Sequence, residues 1–374
     1  MFQMASPQDR AELKDLWHLC FQESQPFLDW FFTDRFLPAY CPIYREDGVI
    51  QAALHGLPAH MRVRDRIAPC VIIAGVATHP DFRGRGLMRG LLGYYLPYLG
   101  RAGIPLATHR PVTLRTYASA GHFPVSDSRY LSLAPDAPRP AEDPCQQVPL
   151  LERASELYGC YQRFSLGYSC ILSRSYADFF LKCKDYLASD AKCILTRDAQ
   201  GQVEGYCVYF DSPGEGAEPP SLYGEECVAL SPEAYARLWA SLATRSQGKA
   251  LKVRMAPNAP LCPAGAQWET LPRSVWGVTN VSSLLALLGL PGEGVLEVED
   301  PLVASNRGLY TLCGQPAQGK PQLVIPAGRL AQWASGYRTM AQLVAEGQAQ
   351  ALDPAIVPIL DAGPRLPCFT IDEY

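Results

Sequence analysis

The chain has 374 residues, 48% hydrophobic and 19% charged, with 33 Lys and Arg against 37 Asp and Glu for a net charge of −4. This excludes disorder as the main state, and the near-neutral balance offers nucleic acid no basic stripe. No apolar run approaches the ~20 residues of a membrane span, and the first residues lack the basic and apolar regions of an export signal, so a cytosolic protein without membrane contact is expected.

Glu12 to Cys20 and Pro26 to Phe36 have helical spacing, and Val49 to Gly56 and His60 to Val63 read as two strands around a Gly-Leu-Pro turn. Cys70 to Thr78 is an apolar β-rich run, and Leu87 to Leu99 has the apolar density of a buried helix. The proline-rich stretch 135–144 has linker composition and sets a first boundary. Beyond it come helices over Leu151 to Phe164 and Tyr176 to Leu187, and strands over Cys193 to Arg197 and Glu204 to Phe210 joined by an Asp-Ala-Gln-Gly hairpin turn. Glu225 to Leu230 followed by Pro232 to Ala243 repeats the strand-then-helix order without a phosphate loop. A second weak stretch, 256–265, precedes a last part with strands over Gly294 to Val298, Gly308 to Cys313 and Pro321 to Val324 and helices over Arg329 to Ser335 and Met340 to Glu346. The reading is a mixed α/β (α+β) chain in three parts: 1–135, 136–272 and 273–374.

Thirteen cysteines suggest a disulfide framework until their spacing is read. None forms CxxC, and no Cys/His pair has metal-ligand spacing, so reduced thiols acting as small core hydrophobes are expected and no metal.

The most informative stretch runs from Val71 to Arg89. A β-run stops at Pro80, and a turn with Gly84, Gly86, Arg83 and Arg85 feeds an apolar helix beginning Leu87-Met88. Main-chain N–H groups at a helix N-terminus point outward without partners, and glycines clear the side chains that would keep a diphosphate away. Two arginines add charge suited to phosphate.

Val-Ala-Thr-His-Pro-x-Phe-Arg-Gly-Arg-Gly-Leu-Met resembles the acetyl-CoA motif Arg/Gln-x-x-Gly-x-Gly/Ala of the GNAT N-acetyltransferases, with Arg83 and Gly86 on its first two fixed positions and Met88 departing from the third. The Leu-Met that follows the glycine resembles the enhanced intracellular survival (Eis) type. That resemblance implies an N-terminal GNAT domain, a second degenerate GNAT-like domain and a C-terminal domain similar to sterol carrier proteins. Glu297 to Leu302, Asn306 to Tyr310 and Trp333 to Tyr337 look like elements of the last. Acetyl-CoA is the implied co-substrate, held by Val76, Ala77, Thr78 and the turn from Arg83 to Met88. A homo-oligomer is implied, hexameric in the Eis type.

Acetyl transfer needs a neutral amine, a base for its proton, an acid for the leaving thiolate and a donor to the thioester carbonyl. The resemblance gives the acid to Tyr117, in a Tyr-x-x-x-Gly element, and the carbonyl donors to the Val76 to Thr78 main chain. His122, just past that glycine, reads more readily as a capping position than as a catalytic group. The base implied is the terminal carboxylate of Tyr374, with Asp372 and Glu373 drawing cationic amines. An α-carboxyl is ionised at neutral pH and can accept a proton.

Phe27, Trp30, Phe31, Phe32 and Phe36 form an aromatic cluster on an expected helix. Consecutive helical residues point about 100° apart, so all five cannot face inward, and Trp30 and Phe31 are candidates to line an acceptor cleft. The function expected is acetyl transfer to a primary amine of aminoglycoside, polyamine or lysine type. The alternatives are an acyl-CoA-binding regulatory module without catalysis and a working lipid carrier.

Overall fold

The computed structural model describes residues 1–214 and 219–372. The chain forms two compact units, Met1–Ser126 with Ser169–Leu172 and Arg273–Tyr374, and Asp127–Tyr168 with Ser173–Pro272.

The first unit opens with β1 (Phe2–Met4), α1 (Arg10–Phe21), α2 (Gln25–Trp30), β2 (Pro42–Glu46), β3 (Val49–Val63), β4 (Arg66–Thr78), α3 (Leu87–Arg101), β5 (Leu106–His109) and α4 (Leu114–Ala118), then enters β6 (Phe123–Leu133). β1 to β4 pair antiparallel in sequence order, and β5 joins β4 in parallel. Leu87, Leu91, Leu92, Leu96 and Leu99 recur at helical spacing along α3 and close over Ala52, Leu54, Val71 and Ile73 of the sheet.

One uninterrupted strand replaces the two strands and turn expected around Gly56-Leu57-Pro58. Gly56 is there for space: a Cβ would lie 1.9 Å from the Tyr95 hydroxyl, which donates to the Tyr40 carbonyl at 3.0 Å. Pro58 sits in register with Val71 beyond the last β2 pairing, at Ala53.

The aromatic cluster also departs from expectation. Helix α2 ends at Trp30 and Phe31–Arg35 form a π-helical turn, whose wider winding shifts the angular offset of successive side chains. Trp30, Phe31, Phe32 and Phe36 are all buried, the three phenylalanines packed round His55 and Trp30 against Phe27 and Phe31, and Phe27 is half-buried.

The second unit contains β7 (Gln146–Val148), α5 (Ala154–Ser165), α6 (Tyr176–Ala188), β8 (Lys192–Arg197), β9 (Val203–Ser212), β10 (Ser221–Ala229), α7 (Pro232–Arg245) and β11 (Ala250–Met255). Its strands run β6-β11-β10-β9-β8-β7, with only the β10/β11 pair parallel. At its centre Arg174 makes a bidentate pair with Glu226 (3.0 and 2.8 Å), whose oxygens also accept from Tyr186 and Tyr206. These partners hold the buried Glu226 carboxyl below its usual range against the cost of burial.

The chain returns to the first unit along β12 (Gln267–Val278), which pairs antiparallel with β5, and continues through α8 (Val281–Leu288). β13 (Val295–Glu299), β14 (Gly308–Thr311), β15 (Leu323–Pro326), α9 (Ala327–Ser335), α10 (Met340–Ala345), β16 (Gln350–Ala351) and α11 (Ile356–Asp361) follow, with sheet order β14-β13-β15-β16. Arg64, at the β3/β4 hairpin tip, joins this region to the N-terminal sheet. Its guanidinium donates to the Ala334 and Trp333 carbonyls at 3.1 and 2.9 Å, meeting the negative end of α9, and lies over the Trp333 ring.

The last described residues do not fray. Phe369, Thr370 and Ile371 are buried, the Phe369 amide donates to the Ser169 carbonyl at 2.8 Å, and Thr370 Oγ1 donates to the Cys170 carbonyl at 3.1 Å. Nine cysteines, from Cys41 to Cys227, are buried free thiols, and Cys262 and Cys313 are exposed.

Candidate active site

The turn after β4 is built for close approach. Gly84 and Gly86 take φ of +78° and +73°, the left-handed region open to glycine, and a Cβ on either would meet nothing within 4 Å. Gly86 is the N-cap of α3 and supplies no side-chain cap. The Leu87, Met88 and Arg89 amides therefore have no intrahelical acceptor and open on the space above the glycines. In the second unit the helix after a strand is closed off instead: Ser231 caps the Ala234 amide at 3.1 Å and Pro232 carries no N–H.

Met88 is half-buried against the α3 core cluster and does not crowd the turn. Arg83 is exposed and donates through Nε to the Thr78 carbonyl at 3.2 Å. Arg85 is engaged by Glu46 at 2.9 Å and Gln51 at 3.0 Å, and it holds the Glu46 carboxyl below its ordinary range. Arg89 donates to the Ser119 and Pro301 carbonyls.

Strands β4 and β5 pair only at Cys70/Leu106, Val71/Ala107 and Ile72/Thr108. Beyond Ile72 they part, and Ile73, Gly75 and Val76 on one side and His109 to Val112 on the other line a cavity of about 430 Å³. The register of β3 against β4 shifts there, so Gly75 and Val76 stand opposite Leu54 alone. Gly75 has φ +51°, and a Cβ on it would fall 2.4 Å from the Trp17 ring. Such a bulge takes an amide out of the ladder and re-aims it. Val76 borders the cavity, whereas Ala77 is buried opposite Ala53 and Thr78 accepts from Arg83.

Tyr117 lines the same cavity at 9% exposure, and burial pushes its phenol up to about 12. It is therefore a neutral proton donor at physiological pH. Its ring centre lies 4.4 Å from that of His109, and His109 Nε2 and His122 Nδ1 share a 2.9 Å hydrogen bond. Burial lowers His122 to about 4 and His109 well below its ordinary value, so both imidazoles are neutral. Gly277 leaves room for this pair, since a Cβ there would lie 2.5 Å from His122 Nε2. His109 escaped the sequence reading because its partner is 13 residues away and the two meet only through the fold.

The structure thus brings Val76 and Tyr117 to one cavity and the residues from Arg83 to Met88 to the turn beside it. Trp30 and Phe31 do not line the cavity; they are buried in the cluster, where Phe31 packs on Trp17, and Trp17 and Phe21 are the cavity's aromatic wall. Tyr374 and Glu373 lie outside the described residues. Asp372, just before them, is close enough to β4 to raise the Cys70 thiol, second only to burial. Among the described residues no group of three His, Cys, Asp or Glu side chains is disposed to hold a metal, and no helix is long and apolar enough to cross a membrane.

Residues 2–124 match the model of an acetyltransferase (GNAT) domain, residues 179–264 match another acetyltransferase (GNAT) domain, and residues 281–362 match a sterol carrier protein domain. The molecule is a GNAT acetyltransferase with two GNAT domains and a sterol-carrier-type C-terminal domain, the mixed α/β arrangement that the sequence pointed to. GNAT acetyltransferases take acetyl-CoA as co-substrate. Three solved structures share the whole architecture. A GCN5-related N-acetyltransferase from Anabaena variabilis is 21% identical with a TM-score of 0.80, over 100% of both chains. Eis1 from Mycobacterium abscessus is 15% identical with a TM-score of 0.76, over 100% of both chains. A probable N-acyltransferase from Enterococcus faecalis is 17% identical with a TM-score of 0.81, over 100% of this chain and 99% of that one. No curated protein matches the chain in sequence.

Proposed function

We propose that this chain transfers the acetyl group of acetyl-CoA directly to a primary amine at the cavity between β4 and β5. The observation that carries this is Tyr117: a buried neutral phenol on a cavity that also holds the β4 bulge, next to a helix start with uncapped amides.

In this reading the amides from Leu87 to Arg89 and the space over Gly84 and Gly86 receive the diphosphate, with the exposed Arg83 the more available charge, since Arg85 is compensated by Glu46. Main chain at the bulge, from Val76 to Thr78, polarises the thioester carbonyl. The amine lone pair attacks that carbon, the C–N bond forms and the C–S bond breaks. The amine proton passes to a base, and Tyr117 Oη–H protonates the departing thiolate. The base assigned is the terminal carboxylate of Tyr374, with Glu373 beside it. What supports the assignment is the inward course of the tail as far as Asp372. The same reading carries a cytosolic location and a homo-oligomeric assembly, which light scattering on the purified protein tests.

Purified protein with acetyl-CoA and a panel of amines is expected to release free thiol. Tyr117→Phe is expected to lower kcat by roughly 100-fold or more with acetyl-CoA affinity nearly unchanged, because it removes a group needed only in the transition state. Equal turnover by the variant removes Tyr117 from the acid role.

A further inference from the structure

Acetyl transfer makes no use of the cysteines, and two of them meet where the C-terminal segment docks. Ser169 and Cys368 face each other as a parallel bridge: the Ser169 amide donates to the Pro367 carbonyl at 2.9 Å, and the Phe369 amide to the Ser169 carbonyl at 2.8 Å. Adjacent strands stand ~4.8 Å apart and rise ~3.3 Å per residue, which sets the Cys170 Cα roughly 6 Å from that of Cys368, inside the span of a disulfide. In a regular strand Cys170 would turn its side chain away from the face that Ser169 and Cys368 share. It does not keep that geometry. Its φ is +65°, a left-handed conformation unfavourable for a residue with a Cβ. Gln22, Asp47, Arg64 and Asp190 share it at helix ends and tight turns, whereas Cys170 is fully buried. Strain at a buried position of this kind points to a role.

Both thiols converge on Ser335. Cys368 Sγ donates to the Ser335 carbonyl at 3.3 Å, the same oxygen accepts from Ser169 Oγ at 2.6 Å, and Ser169 Oγ lies 3.9 Å from Cys170 Sγ. Burial raises the Cys170 thiol well above its ordinary value, and the adjoining Cys368 thiol raises it further. Cys368 is half-exposed, so one sulfur of the pair is reachable and the other is enclosed. Cys207 and Cys227 also face each other, in register on β9 and β10, but both are fully buried and offer an oxidant no sulfur to enter by.

We propose that Cys170 and Cys368 are a reversible redox clasp, closed by a small disulfide of the glutathione type. The Cys368 thiolate attacks one sulfur of that disulfide, forming a mixed disulfide and releasing one thiol. Cys170 Sγ then attacks the Cys368 sulfur, its proton leaves with the second thiol, and the Cys170–Cys368 bond forms. Two electrons and two protons have passed from the protein to the oxidant. Under reducing conditions the pair rests as the dithiol. When closed, it ties down covalently the segment that leads to Tyr374. The clasp stands independently of any part that the terminal carboxylate plays in acetyl transfer.

The test uses the full-length protein, reduced, freed of reductant, incubated with oxidised glutathione at mildly alkaline pH, then quenched in acid and digested for peptide mapping. The expected product is a Cys170–Cys368 cross-link lighter by two hydrogens than the reduced peptides and reopened by a dithiol reductant. Adducts on the exposed Cys262 and Cys313 show that the oxidant has acted. In the oxidised protein the Ser169 and Phe369 amides are expected to exchange hydrogen about tenfold more slowly, because their bonds open with the docked segment. Cys368→Ser is expected to leave Cys170 unmodified, since the entry sulfur is gone. A glutathione adduct that persists on Cys368 of the parent protein, a link from either cysteine to another sulfur, or no reaction at the pair overturns the clasp. So does modification of Cys170 in the Cys368→Ser protein, or exchange at Ser169 and Phe369 that the link leaves unchanged. Thiol release from acetyl-CoA is a separate measurement, and its failure leaves the clasp standing.

Discussion

Three histidines, His55, His109 and His122, are enclosed without charge, and each states a dependence on acid. Burial takes His55 to about 3 and His122 to about 4, with His109 lower than its ordinary value as well. The unfolded chain titrates them near 6.5, so below that pH the unfolded state binds more protons than the folded one. Their contribution is complete above about 6.5 and is lost as pH falls toward 4. For His122 alone the span is worth roughly 3 kcal/mol. Denaturant titrations at stepped pH should show stability falling over this window, and His122→Asn should flatten the fall relative to the parent protein. Parallel curves for the two proteins contradict an uncharged His122. Tyr117 became a candidate through the family resemblance, which sets an acid in a Tyr-x-x-x-Gly element, and no local pattern could reveal what surrounds it. The His109–His122 contact joins the end of β5 to the residue before β6, which meet only after folding.

At the scale of elements, the start of α3 was the clearest signal in the chain, because glycine, proline and arginine there have local physical causes. Gly86→Ala tests it. The methyl meets nothing within 4 Å, so packing is not disturbed; the cost is the left-handed backbone, about 1–2 kcal/mol, together with whatever ligand the methyl obstructs. The expected result is a melting temperature lower by a few degrees and an acetyl-CoA KM raised about tenfold. A lower melting temperature with an unchanged KM removes the diphosphate from this turn. Elements whose cause is not local were harder to read. Gly56 and Pro58 carry turn chemistry yet lie mid-strand, because Tyr95 needs the space and β2 stops short of the proline. The aromatic cluster was read with a regular helical angle, and a π-turn changed it. β5 and β12 gave no strong alternation, since their residues owe their places to neighbours far along the chain, and β11, which does alternate through Leu251, Val253 and Met255, is a six-residue run that escaped the sequence reading.

At the scale of the molecule, the three-part composition was legible and its spatial grouping was not. Ser169–Leu172 sits in the first unit: the Cys170 amide donates to the Arg62 carbonyl and the Arg62 amide to that of Ile171, both at 2.8 Å. Nothing in Ser-Cys-Ile-Leu announces that partner, more than 100 residues upstream. The buried tail gives the terminal carboxylate its test at this scale. Extension of the chain past Tyr374 converts that carboxylate to an amide. It is expected to lower kcat at least tenfold with the melting temperature held within a few degrees, read from thiol release and thermal unfolding side by side. Full turnover by the extended protein assigns the base elsewhere.

The position of Phe369 to Ile371 also orders the events of biogenesis. These residues follow the whole second unit in chain order, yet they cover surface belonging to the first unit, and Thr370 reaches Ser126 and Cys170 across separations of 244 and 200 residues. Contacts so distant in sequence are slow to form. The first unit therefore cannot complete its packing until the second unit, which precedes these residues in the chain, has been made.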